Sequence, residues 1–175
     1  MPRGTGHVVA VAGAIAAFTL CSCSERALPG NVLGRYKVTG QAQANSCGLG
    51  APATWIFRVE LSEDRSVLYW SWLDGTPPIS SALTTPSQAT LTGTTVANVD
   101  PSDAGRGPCT LQRDDHVAVI LGTGSPPGTF SGTVAYQFSP ASGSSCGDQL
   151  ASVGGPYQAL PCSVSYTVNA AREGD

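Results

Sequence analysis

The chain has little charge and almost no lysine. Asp, Glu, Lys and Arg make up 12% of its 175 residues, against about 25% in ordinary soluble domains. Lys37 is the only lysine, and the net charge is −3. A weakly acidic chain with no basic cluster lacks the electrostatic footprint that nucleic acids require. No Cys-x-x-Cys occurs, and only His116 lies beyond the N-terminal segment. Zinc sites are built from several such ligands, so no metal site and no cofactor are expected. Walker loops, dinucleotide fingerprints and Asn-x-Ser/Thr sequons are missing as well. The longest apolar run, Val8–Leu20, falls short of the ~20 residues a spanning helix needs. No helical period follows it. Gly, Pro, Ser and Thr fill the place of the charges, which is a loop-rich β composition.

That apolar run has a meaning of its own. It follows Arg3 and ends at Cys21-Ser22-Cys23-Ser24, giving a basic start, a short apolar core and small residues at a cut, the layout of a secretory signal. Leu20-Cys21-Ser22-Cys23 resembles the lipobox of bacterial lipoproteins, with Leu three residues before the modified Cys and a small residue one before it. The resemblance implies acylation of Cys23, which becomes the first residue after cleavage. Cys21 is the rival, but it would put Leu20 at the cut. The family pattern departs at Cys21, where a small or β-branched residue is usual. The resemblance further implies membrane attachment through a lipid rather than a helix. Ser24 after the Cys points to the outer membrane or cell surface; a periplasmic or secreted protein is the alternative.

The expected organisation is a signal peptide over 1–22, a tether over 23–33, one β domain over 34–170 and a polar tail over 171–175. Four cysteines fall in the β domain: Cys47, Cys109, Cys146 and Cys162. An even number in an exported chain reads as two disulfides with three possible pairings. Cys146–Cys162 is preferred because it closes a short Gly/Pro-rich loop before a strand, which leaves Cys47 to Cys109.

Period-two alternation runs through most of the domain. Tyr36 and Val38 alternate with charged neighbours, and Trp55, Phe57, Val59 and Leu61 form a clear apolar face. Val67–Leu73 is apolar on both faces, as in a central strand. Ala89–Val96 is a weaker, Thr-rich strand. Val117, Val119 and Leu121 alternate within Thr110–Leu121. Phe130, Val134, Tyr136 and Phe138 follow, and Cys162, Val164, Tyr166 and Val168 form the last strand. Pro77–Gln88 and Gly122–Gly128 read as irregular loops, and Ser139–Gln158 as a long loop holding Cys146. The fold class is all-β: an antiparallel meander of about seven or eight strands, closed as a barrel or packed as a sandwich, and stapled by disulfides.

Candidate chemistry is sparse. Asp114-Asp115-His116 is the only acid–imidazole cluster beyond the N-terminal segment. On a strand, Asp114 and His116 share one side and Asp115 takes the other, so the three do not form one centre; a solvent-facing polar stretch, or a tight turn between two strand halves, is expected. Gly143-Ser144-Ser145-Cys146-Gly147 matches G-x-S-x-G, but no strand precedes it and no helix follows, so it is no nucleophile elbow. Trp70 and Trp72 on one strand face, with Trp55 on the neighbouring strand, form either core or the wall of a ligand site. No catalytic residue is assigned. The expected function is a non-enzymatic envelope module, a monomer, whose partner is a small apolar ligand, a glycan or an envelope protein. An inhibitor or interaction protein acting through loops or a sheet edge is the alternative, and a hydrolase using the Asp114–His116 cluster ranks behind both.

Overall fold

The computed structural model describes residues 27–99 and 109–174. The signal segment, the cleavage site, Cys21 and Cys23 lie outside them. Eight antiparallel strands close into a barrel in simple up-and-down order. They are β1 (Asn31–Asn45), β2 (Thr54–Asp64), β3 (Val67–Trp72), β4 (Ile79–Thr85), β5 (Gln88–Val99), β6 (Cys109–Leu121), β7 (Thr129–Pro140) and β8 (Cys162–Arg172). Closure comes from β1 and β8, whose register runs from Tyr36 opposite Arg172 to Asn45 opposite Val164.

β1 starts at Asn31, inside the stretch expected to be tether, and β8 runs to Arg172. β4 was not visible as alternation: it lies within the tract read as an irregular loop. Its inward residues Ile79, Ser81 and Leu83 include a serine, and its outward residues are all Ser, Thr or Ala. With Pro78 before it and Pro86 after it, the apolar contrast is too weak to mark a strand.

The alternation sorts side chains into the barrel or out of it. At one end, called lower here, the chain reverses at Arg65-Ser66, Pro86-Ser87 and 122–128. Arg65 and Ser66 both take positive φ, 49° and 64°, the twist of a tight two-residue hairpin. This half is solid. Tyr36, Leu61, Leu68, Trp70, Leu91, Val117, Val119, Phe130 and Val168 are buried within one core. Phe130 meets Tyr36 and Trp70 edge-on at centroid distances of 5.2 and 5.5 Å. The Tyr36 hydroxyl donates to the carbonyl of Pro127 at 2.7 Å, which ties the lower loop across the opening. Leu28 is buried, and the Pro29 carbonyl accepts from Ser62 Oγ at 2.8 Å, so the chain enters the barrel at this end.

The upper end has the longer connections 46–53, 73–78 and 141–161, and β5 ends and β6 begins there. Both disulfides are here. Cys47 bonds Cys162, and Cys109 bonds Cys146. This corrects the pairing expected from loop length. Closure of the barrel makes β1 and β8 neighbours, which brings Cys47 at the end of β1 to Cys162 at the start of β8, 115 residues away in sequence. The β6–β7 register places Leu111 opposite Pro140, so Cys109 faces the loop that follows β7 and meets Cys146.

Candidate functional site

The upper half of the barrel is hollow. A cavity of about 300 Å³ lies beneath the loops, lined by Trp55, Trp72, Arg113, Tyr136, Phe138 and Tyr166 among others. Residues of loop 46–53 and Pro156 and Tyr157 of loop 141–161 form its rim, and Asp74 stands at the mouth. The lining is mainly aromatic because β2, β3, β7 and β8 each send one or two rings inward at this level. Trp55 stacks on Phe57 at 4.0 Å and meets Tyr166 at 5.5 Å and Tyr136 edge-on at 5.8 Å. Tyr157 packs on Phe138 at 5.8 Å, so the long upper loop reaches over one side of the mouth. A small apolar cluster of Cys109, Leu111 and Cys146, with Val99, Tyr157 and Leu160 against it, anchors that loop.

The three tryptophans part company here. Trp55 and Trp72 line the cavity, whereas Trp70 lies below it in the solid core, 5.7 Å from Trp72. The wall is low beside Trp72. β3 ends there, and β4 is paired with β5 only near Gln88 and Ala89. β5 continues upward past β4, paired with β6 alone.

At the floor of the cavity sits a charge pair. Arg113 Nε and Nη2 donate to the two Asp115 carboxylate oxygens at 2.7 and 3.0 Å. Asp115 is 1% exposed, and Arg113 28%. For Asp115 this corrects the expectation of a solvent-facing polar stretch. β6 runs unbroken, and Val117, Val119 and Leu121 continue inward through Asp115 and Arg113 to Leu111 and Cys109. Asp114 and His116 lie on the outer surface, where Thr94 Oγ1 and Gln112 Nε2 donate to Asp114. Asp115 stands opposite Gly93 on one side and Tyr136 on the other. Gly93 is required by space, since a Cβ there would collide with the Ile79 side chain.

The guanidinium of Arg113 lies near two rings, 5.1 Å from the Tyr136 centroid and 6.0 Å from that of Trp72. Burial pushes the Asp115 carboxyl above the usual carboxylate range, against the pull of the Arg113 hydrogen bonds and charge. Burial also raises the Tyr136 phenol far above its ordinary value, and the neighbouring Asp115 charge adds to this. Outside, the hydrogen bonds from Thr94 and Gln112 hold Asp114 below the usual range.

None of Asp114, Asp115 and His116 lines the cavity surface, and Ser145 sits in a loop whose next residue is bridged to Cys109. No group of His, Cys, Asp and Glu suited to a metal ion occurs among the described residues. Each of the eight strands has two strand neighbours, so no strand stands free along its whole length. Comparison with protein-family models, with curated proteins and with solved structures finds no match.

Proposed function

We propose that the protein is an exported, lipid-anchored binding protein that holds one small, mostly apolar molecule in the upper half of its barrel. The observation that carries this reading is the one-ended hollow: the same eight strands enclose a solid core below and an aromatic-walled cavity of about 300 Å³ above. Unfilled apolar volume is costly in a folded protein, so a cavity of this size at a stapled, open end favours a resident ligand. The volume is at the small end of ligand pockets, which run ~300–1,000 Å³. Two disulfides are in keeping with an oxidising compartment. The Leu20–Cys23 motif supports acylation at Cys23. The chain enters at the lower end, near Leu28 and Pro29, so a lipid at Cys23 would leave the mouth facing away from the membrane.

The test is saturable uptake of the neutral fluorescent probe N-phenyl-1-naphthylamine by the purified, oxidised protein. Uptake that is abolished by Trp55→Ala supports the reading; no saturable uptake would overturn it. Detergent-phase partitioning lost on Cys23→Ala tests the anchor separately. A second reading, a protein-interaction module acting through its upper loops, rests on the fully exposed Leu49 and the exposed Val153 of those loops. It predicts that Leu49→Ser leaves probe uptake intact but abolishes partner capture.

A further inference from the structure

We propose that Arg113, held against the barrel wall by Asp115, selects the ligand: the cavity takes an uncharged aromatic molecule that carries a carbonyl-type oxygen. This deepens the binding reading above and rests on it. Three observations converge on that chemistry. The first is the state of the guanidinium. Asp115 occupies Nε and one Nη2 hydrogen from the side, leaving the outer donors without a partner among the described residues. The indole N–H of Trp72, in the same wall, is buried with the Tyr136 hydroxyl beside it. The guanidinium edge therefore has donors to spare, which an acceptor on a ligand in the cavity would meet.

The second is charge. Asp115 cancels the charge of Arg113, and among the described residues Asp74 is the only other acidic or basic side chain of the lining. A ligand carboxylate would lose its water beside two aspartates, with only an already neutralised arginine to meet it. A ligand ammonium would face the guanidinium. Both leave a desolvated charge imperfectly paired, which is expensive in a site of this kind. A neutral oxygen satisfies the donors with no such penalty. The third is shape. The guanidinium has the rings of Tyr136 and Trp72 near it, its edge away from Asp115 is unpaired, and Trp55, Phe138 and Tyr166 wall the same cavity. A flat body lying against those rings would present an oxygen to that edge.

The experiment is equilibrium dialysis of the oxidised protein, in detergent-free buffer, against four probes that share one ring system: naphthalene, 2-acetylnaphthalene, 2-naphthoate and 2-naphthylmethylammonium. The expected result is that 2-acetylnaphthalene binds at least about tenfold tighter than the other three. In the charge-neutral double variant Arg113→Met/Asp115→Leu, naphthalene binding stays within about threefold of the wild type and the acetyl preference disappears. Arg113→Lys, which keeps the charge but loses the guanidinium edge, should also lose the preference and covers the case in which the double variant does not fold. Equal binding of naphthalene and 2-acetylnaphthalene overturns the role of Arg113 while leaving the binding function standing. Tightest binding by 2-naphthoate or by the ammonium overturns the neutral-ligand assignment. Binding of none of the four overturns this proposal together with the binding function.

Discussion

Below Asp115 the barrel is held by side chains packed on side chains; above it, by covalent bridges and loop hydrogen bonds. The lower half buries Trp70, Tyr36, Leu61, Leu68 and Phe130 in mutual contact, has hairpin-length connections and contains no disulfide. The upper half has both bridges. Around one of them, Ser46 N–H donates to the Ser163 carbonyl at 2.8 Å, and Gln158 N–H to the Cys47 carbonyl at 2.8 Å. Beside the other, Thr110 N–H donates to Ser144 Oγ at 2.7 Å. An eight-stranded barrel is just wide enough to be filled by its own side chains or to hold one small ligand. This chain is filled by its own side chains in the lower half and hollow in the upper, and the bridges replace the cohesion that the hollow half gives up.

Removing the bridges should break that arrangement most. In the loop-closure model the 115-residue and 37-residue spans contribute about 5 and about 4 kcal/mol, respectively. Full reduction should lower the melting temperature by well over ten degrees, read by calorimetry with and without reductant. Hydrogen exchange should show the ends of β1, β6 and β8 opening first, while amides near Val117 and Val168 stay protected. Uniform exchange along the strands would mean that the two halves do not differ in how they are held.

Next in size are single tryptophans. Trp70→Ala empties the solid core and should cost about 3–5 kcal/mol by denaturant unfolding. Trp55→Ala, at the half-buried cavity wall, should cost only about 1–2 kcal/mol yet abolish probe uptake. Equal losses of stability would erase the distinction between core and site. Arg113→Met should cost about 3 kcal/mol, because it strands the buried Asp115 carboxylate, and adding Asp115→Leu should restore most of the loss. A double variant no more stable than the single one would show that Asp115 is not the cause.

Much of this contrast was legible in the sequence, and what was not has physical reasons. The all-β meander followed from alternation in β2, β6, β7 and β8, where one face is apolar enough to be unmistakable. The disulfide partners did not follow, because nearness in sequence is a poor guide once closure makes the first and last strands neighbours. β4 escaped because Ser and Thr outweigh Ile79 and Leu83. The centre of the site escaped for a different reason. Arg113 and Asp115 have the residue types of a surface, and only the inward phase of Val117, Val119 and Leu121, carried back two and four residues, puts them inside. Where residue type and phase disagree on a closed barrel, phase decides, provided that the polar groups inside can satisfy each other. The tryptophans show the converse: their type told of burial, but not that Trp72 and Trp55 would face a hollow and Trp70 a core.

The smallest expected effect separates two adjacent residues. Asp115 has its carboxyl raised in the folded state by burial, so the folded protein holds that proton to higher pH than the unfolded chain, which releases it near ~3.9. Its contribution to stability is therefore full below ~3.9, is lost as pH climbs through the folded value, and is level above it. Asp114 lies on the outer face and is held low by Thr94 and Gln112, so its contribution has the opposite sign: present above ~3.9 and lost as pH falls through the folded value. Urea unfolding of Asp115→Asn and Asp114→Asn beside the wild type, across the acid range to neutrality, yields two difference curves. The wild type should lose ground to Asp115→Asn as pH rises and gain ground on Asp114→Asn, the latter weakly because solvent screens a group on the outer face. Slopes of one sign would mean that Asp115 does not lie inside the barrel, and the partition of β6 into an outer polar face and an inner charge pair would fall with it.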